Sequence, residues 1–359
     1  MRKLPAKPWP LTIGGLPIQF ATDEFEESFQ RGRPGRGPKC LNDIDLLRSS
    51  DLSDDLLKLA VELFEELKIK IRDIYYFSGF WHITVPDETE FQFLPFRIAS
   101  RPAYYRTFSE APDPDPAALR SKPASGVQFD DTKYTGAPDA LLRPGIMLSS
   151  SLRTITKDGK TEETYKTTTS GILVANQNGE IFITVATHGF EDDGLVYHPD
   201  PHKGTVIGRI VDALSGTDIS IAKLDAGLHY VNETFGTATE PNGVRLSGIS
   251  PGYAPHLLAY DELFMNTPLN GGCEGSVLAL GARVEGAIGK KYIRHEWVIF
   301  ENGDQPVGES CGSPILDREG KVVGLFRYKV ATSNSCVCVS AMELGEYGYD
   351  ICGGEQTFR

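Results

Sequence analysis

Ile181-Phe182-Ile183-Thr184-Val185-Ala186-Thr187-His188-Gly189-Phe190 is an apolar, β-branched run that ends on a histidine. A short run of this kind, with no polar alternation, reads as a fully buried strand. It belongs to a series of short β segments: Ile146 to Thr154, Glu163 to Thr168, Gly171 to Ala175 and Glu180 to Ala186, continuing to the end of the chain. Gly, Asn and Asp turns separate these segments at close intervals, which is the signature of a sandwich or barrel. No internal repeat of fixed period is visible, which disfavours a propeller or solenoid.

Two more segments place a reactive side chain beside an apolar strand. Thr217-Asp218-Ile219-Ser220-Ile221-Ala222-Lys223-Leu224 opens an alternating strand with an acid. Gly308-Glu309-Ser310-Cys311-Gly312-Ser313-Pro314-Ile315-Leu316 precedes a turn, Asp317 to Gly320, and a strand, Lys321 to Phe326. Nucleophilic acyl transfer needs a hydroxyl or thiol, a base to take its proton, and an acid to fix the base's tautomer. The chain offers histidine, aspartate and nucleophile in that order. A Gly-rich turn around the nucleophile lets two backbone N–H groups converge on an oxyanion, where most side chains would obstruct. Taken singly, each has a plain reading: a histidine after a strand is usually structural, an Asp before one is a turn residue, and Cys311 is a small buried hydrophobe. Their joint, ordered occurrence within one all-β region raises the catalytic reading.

The three segments together resemble the catalytic blocks of chymotrypsin-like proteases over about 200 residues. The resemblance implies a mainly β, chymotrypsin-like double β-barrel, with His188 and Asp218 in one barrel and the nucleophile in the other. It implies endopeptidase chemistry through an acyl-enzyme and no cofactor. Counting back from Pro314, the nucleophile block is similar to the viral cysteine proteases of that fold, which makes Cys311 the nucleophile. Those enzymes carry Gly where this chain has Glu309. Aligning Gly308-Glu309-Ser310 with the Gly-Asp-Ser of the serine enzymes makes Ser310 the alternative, and Ser313 needs a larger shift still. The oxyanion hole then falls on the amides of Cys311 and Glu309, or of Ser310 and Gly308. Phe326, Arg327 and Tyr328, continued by Lys329, lead toward the expected substrate cleft, where their charge would favour an acidic or polar side chain. The viral enzymes that cut after Gln carry a histidine where Phe326 stands. Gly308-Glu309-Ser310-Cys311-Gly312 also satisfies the nucleophile elbow of α/β-hydrolases, but their acid and histidine follow the serine, and the last histidine here is His295. The irregular nucleophile loop motivates a second class of function: an inactive pseudo-protease that binds protein.

Working outward, residues 143–359 form the protease-like region, 109–142 a Pro-rich linker or arm, and 1–108 a small α+β domain. Asp51 to Lys70 has apolar residues at helical spacing, and Ser53 could cap it. Ile74 to Val85 and Phe91 to Ile98 read as strands about a turn at Pro86 and Asp87, with His82 packed between Trp81 and Ile83. This domain carries no chemical motif and offers a surface for a protein partner. The 359-residue length suits two domains. A net charge of -13 excludes a nucleic-acid partner held by phosphate contacts, and the basic run Arg31 to Lys39 reads as a solvated loop. With no apolar signal region and no run of 18 apolar residues, a soluble, intracellular, cytoplasmic protein with no membrane partner is expected. The six cysteines, including Cys40, are then free thiols. Cys336 and Cys338 share a strand face. His198 and His202 read as a surface turn, without the companions of a metal site.

Overall fold

The computed structural model describes residues 54–111 and 141–358, except for 78–79, 100, 158–159, 191–192, 203, 237–241, 252–261, 285–289, 301–307 and 330–334, together with 12–13, 16–17 and 33–35. Most of the Pro-rich stretch, Cys40, Ser53 and most of the Arg31 to Lys39 run lie outside the described residues. Helix α1, Asp54–Glu66, buries Leu56, Leu57, Ala60, Val61, Leu63 and Phe64 along one stripe. Asp54 and Asp55 favour its N-terminal end, and Lys68 turns left-handed just after it (φ 57°). Strands β1, Asp73–Phe77, and β2, Phe80–Val85, form an antiparallel hairpin, and β3, Arg101–Thr107, runs parallel to β2. His82 on β2 is buried and stacks on Tyr75 at 5.1 Å. The strand expected over Phe91 to Ile98 is instead a 3-10 turn, Phe91–Phe93, followed by a two-residue strand, Arg97–Ile98. Pro95 lies between them, removing a donor and restricting Leu94 to extended geometry, so neither element can continue through it.

The first barrel-like sheet contains β4, Met147–Ser149; β5, Thr167–Thr169; β6, Leu173–Asn176; β7, Ile181–Ala186; β8, Leu195–His198; β9, Thr205–Leu214; and β10, Ile219–Leu224. Their order is β5-β4-β8-β9-β10-β7-β6, and Tyr349–Ile351 adds to β6. Ile183, Val185, Leu173, Val196, Ile207 and Ala222 share its interior. Phe182 on the other face of β7 packs with Ile219, Ile221, Leu316, Val322 and Leu325 between the two sheets. Burial on both faces explains why β7 is apolar without alternation. Strand β8 extends through His198, and its alternation puts that residue inward. His198 is therefore not in a surface turn: it is buried, and its Nδ1 donates to the Met147 carbonyl at 2.6 Å. His202 remains exposed, edge-on to Tyr165.

The second barrel is closed. Strands β11, Glu262–Thr267; β12, Gly271–Arg283; β13, Ile293–Phe300; β14, Pro314–Leu316; β15, Lys321–Lys329; and β16, Ser335–Ser340 run β11-β14-β15-β16-β13-β12, and β12 pairs back to β11. The molecule has the chymotrypsin-like double β-barrel fold preceded by a small α+β unit. Strand β12 is long enough to serve two neighbours. Gly271 to Ser276 pair with β11, whereas Leu280 to Arg283 pair with Asp73 to Tyr76 of β1. The sheet of the second barrel thus continues into the α+β unit, and one apolar core joins them: Leu57, Phe64, Trp81 and Tyr105 with Leu263, Leu280, Val298 and Phe326. Cys336 and Cys338 pack in that core. A short helix, α2, Met342–Glu346, follows β16. Its Glu343 side chain is fully buried and accepts from the Arg294 amide (3.1 Å), the Arg294 guanidinium (3.0 Å) and Lys290 (2.9 Å).

Candidate active site

Pairing places the first two side chains. Ala186 at the end of β7 is opposite Ile219 at the start of β10, so the residues just beyond each strand meet. His188 lies in the 3-10 turn Thr187–Gly189 and Asp218 immediately before β10. The Thr187 amide donates to the Asp218 carbonyl at 2.9 Å, which fixes the two turns against each other. Asp218 is left-handed (φ 63°), a conformation that Asp tolerates better than most residues. Its Oδ1 accepts the His188 amide at 3.0 Å, and its Oδ2 lies 2.6 Å from His188 Nδ1. Two bonds from one carboxylate fix both the backbone and the ring of His188. Asp218 is the more enclosed, with 11% of its side chain exposed against 23% for His188. Lys166 donates to the His188 carbonyl at 2.9 Å.

The second barrel supplies the turn that contains Cys311. Strand β5 of the first sheet anchors it: Thr169 N donates to the Cys311 carbonyl (3.0 Å), Thr168 Oγ1 donates to the same oxygen (2.6 Å), and Thr169 Oγ1 donates to the Glu309 carbonyl (2.7 Å). Gly312 follows with φ 93°, and a Cβ there would lie 2.6 Å from the Thr169 carbonyl oxygen and 3.2 Å from the Ala186 amide. The Gly312 amide then donates to the Phe326 carbonyl (2.8 Å) and the Phe326 amide to the Ser313 carbonyl (2.9 Å), stitching the turn to β15. Gly312→Ala is expected to lower stability by on the order of 1–3 kcal/mol from backbone strain, before any clash with β5 is added. Urea unfolding measures this, and an unchanged midpoint would show that the turn relaxes freely.

Cys311 is buried, and its thiol donates to the Arg327 carbonyl at 2.9 Å. Burial, reinforced by the carboxylates of Asp218 and Glu309, pushes the thiol well above the ordinary cysteine range. The resting sulfur is therefore a neutral thiol rather than a thiolate. Ser310 and Ser313 are also buried, each with an Oγ that has no hydrogen-bond partner among the described residues. A 3-10 turn covers Gly308–Ser310. In such a turn each carbonyl faces the amide three residues on, so the Gly308 carbonyl is directed at the Cys311 amide. Phe326 and Tyr328 are buried on β15, Phe326 in the barrel core. The Arg327 guanidinium turns toward Asp218, with Nε 3.6 Å from Oδ2. Ala186, Thr217, Asp218, Gly312, Phe326 and Arg327 border a cavity of about 10 Å³ between the barrels, room for about one water.

The structure thus brings Asp218, Gly312 and Arg327 to one inter-barrel cavity, with the His188 ring bonded to Asp218 and the Cys311 thiol bonded to the Arg327 carbonyl. Sequence reasoning missed Thr168 and Thr169, which anchor the turn from the opposite barrel, and Lys166. A Thr-rich strand carries no signal that distinguishes these roles from ordinary β-propensity. No family model matches the sequence, and no curated protein matches it. Among solved structures, the chain is similar to Thermobifida fusca protease A, at 11% identity over 60% of this chain and 100% of that one, with a TM-score of 0.41. It is likewise similar to Nocardiopsis protease (13%, 59% and 99%, TM-score 0.40) and to Cellulomonas bogoriensis chymotrypsin (14%, 59% and 98%, TM-score 0.39).

Proposed function

We propose that the chain is a peptidase acting through His188, Asp218 and Cys311. The observation that carries this reading is the doubly bonded His188–Asp218 pair, held in the cleft to which the other barrel delivers the Cys311 turn. Asp218 holds the Nδ1–H tautomer, which leaves Nε2 as the base. Because Cys311 rests as a neutral thiol, its proton passes to Nε2 as sulfur attacks the scissile carbonyl carbon. The imidazolium then protonates the departing amine, leaving a thioester. Water, deprotonated by the same ring, attacks that thioester and releases the acid and the free thiol. The amides of Cys311 and Glu309 are the oxyanion donors, which requires the Gly308 carbonyl to turn away when substrate enters. Peptide substrate would lie along Phe326, Arg327 and Tyr328, with Arg327 contributing its backbone while its guanidinium stays with Asp218. Ser310 is the alternative nucleophile; the Asp218 charge felt at the Cys311 thiol supports the sulfur.

The test is covalent labelling with an iodoacetamide probe and, separately, a fluorophosphonate probe, followed by peptide mapping in wild type and His188→Ala. Thiol labelling at Cys311 is expected to fall by on the order of 10²-fold without the histidine. Phosphonylation of Ser310 would move the nucleophile one residue back. The inward-turned thiol and the 3-10 turn favour a second reading, a protein-binding pseudo-protease. Labelling of neither residue in a histidine-dependent way would select it.

A further inference from the structure

Arg327 stands at a bulge of β15, where the register with β16 shifts between Phe326 and Tyr328. The irregularity lets its side chain leave the sheet toward the cleft, where only 16% of it is exposed. Its Nε is 3.6 Å from Asp218 Oδ2, the same oxygen that holds His188 Nδ1 at 2.6 Å. Its Nη1 lies 3.5 Å from Nε2 of His295 on β13. Burial, with Arg327 and Arg283 adding, keeps His295 far below the usual histidine range, so that ring is neutral and can accept from the guanidinium. Tyr328 adds its ring at 5.6 Å from the guanidinium carbon.

We propose that Arg327 is a positioning residue for the His188–Asp218 pair, sharing the Asp218 carboxylate with the His188 ring and braced from behind by His295. Its mechanistic value rests on the peptidase reading, but the coupling itself does not. A fixed cation on the carboxylate has two effects. It holds Asp218 in place whichever protonation state His188 adopts, and its charge offsets that of the carboxylate that the His188 ring faces. The other charged or titratable groups around the pair are Lys166 at the His188 carbonyl, the Cys311 thiol, and Glu309, whose charge acts on that thiol. Among the described residues, Arg327 is the cation in ion-pair contact with the Asp218 carboxylate, at 3.6 Å and short of a hydrogen bond, so its removal should be felt there.

The experiment follows the His188 ring signal by NMR across pH in the full-length protein labelled at histidine, assigned by its loss in His188→Ala. Arg327→Gln is expected to raise the His188 titration midpoint by on the order of one pH unit relative to wild type. Arg327→Lys, which retains the charge, should restore most of the wild-type midpoint. Arg327→Met keeps the apolar stem without the charge and must shift the midpoint in the same direction, which guards against a misfolded glutamine variant. A merely structural Arg327 would lower the unfolding midpoint in all three variants without this charge-dependent ordering, and that result overturns the proposal. So does an unchanged midpoint in folded Arg327→Gln or Arg327→Met. A shifted midpoint in a protein whose Cys311 fails the labelling test supports the coupling and sinks the peptidase reading alone.

Discussion

Removing residues 1–111 is expected to unfold the second barrel rather than release a trimmed, active domain. Deletion strips β1 from one edge of Leu280–Arg283 of β12, leaving that stretch paired only with β13. It also uncovers the apolar residues that α1, β1, β2 and β3 share with the barrel, among them Leu280, Ala282 and Val298. Each large side chain returned to water costs about 1.5–3 kcal/mol, and a whole domain is stable by only about 5–15 kcal/mol. A handful of such exposures therefore exhausts the margin. An unpaired, apolar strand edge also invites aggregation. Expression of residues 112–359 should yield insoluble protein, or a soluble form that binds a hydrophobic dye and lacks a cooperative thermal transition. A truncated protein that unfolds cooperatively near the full-length midpoint would instead show that the α+β unit is an accessory laid on a self-sufficient barrel.

Glu343→Ala should be the most damaging polar substitution at the junction of the two regions. Its fully buried carboxylate receives three donors, two from Arg294 and one from Lys290. Arg294 in turn grips Asp54 at the start of α1 through two bonds, at 2.7 and 2.8 Å. The network therefore ties α2, β13 and α1 together. Deleting the central acid leaves the Arg294 guanidinium, itself 10% exposed, with only Asp54 and the more distant Glu346 against its charge, and takes the one carboxylate from the Arg294 amide and Lys290. Breaking such a buried pair costs about 3–5 kcal/mol. Urea unfolding should report a loss of that size in Glu343→Ala. Lys291→Ala, which removes exposed, solvent-screened ion pairs to Glu62 and Glu65, should leave the unfolding midpoint nearly unchanged. Equal, small losses in both would show that the buried carboxylate is dispensable.

The His188, Asp218 and Cys311 turns were legible in the sequence because each is local. A buried strand ending on a histidine, an acid opening the next paired strand and a Gly-rich turn each fit within about ten residues, and each is bounded by backbone chemistry. Helix α1 was legible for the same reason, since a single amphipathic stripe fixes its type. Its predicted end, Lys70, overran the observed Glu66 because propensity does not mark where packing stops, while residues 51–53 lie outside the described residues. The strand reading at Phe91 to Ile98 gave aromatic and β-branched content too much weight and Pro95 too little. His198 was read from its proline neighbour, although the strand before it sets its direction.

Contacts between distant segments were not legible. Nothing local indicates that Arg327 would turn to Asp218, because that follows from a bulge in β15 and the approach of the other barrel. Likewise, Glu296 looks like an ordinary strand acid, yet burial inside the closed barrel, beside Cys338, pushes its carboxyl up to about 8. By itself the sequence determined the β-rich class, the order of the reactive residues and their turns, since periodicity and backbone restriction act over a few residues. Only the tertiary structure decided that β12 joins the α+β unit to the barrel, which hydroxyls hold the Cys311 turn, and what charge surrounds it. Burial and desolvation depend on segments tens to hundreds of residues apart, and no local pattern encodes where they meet.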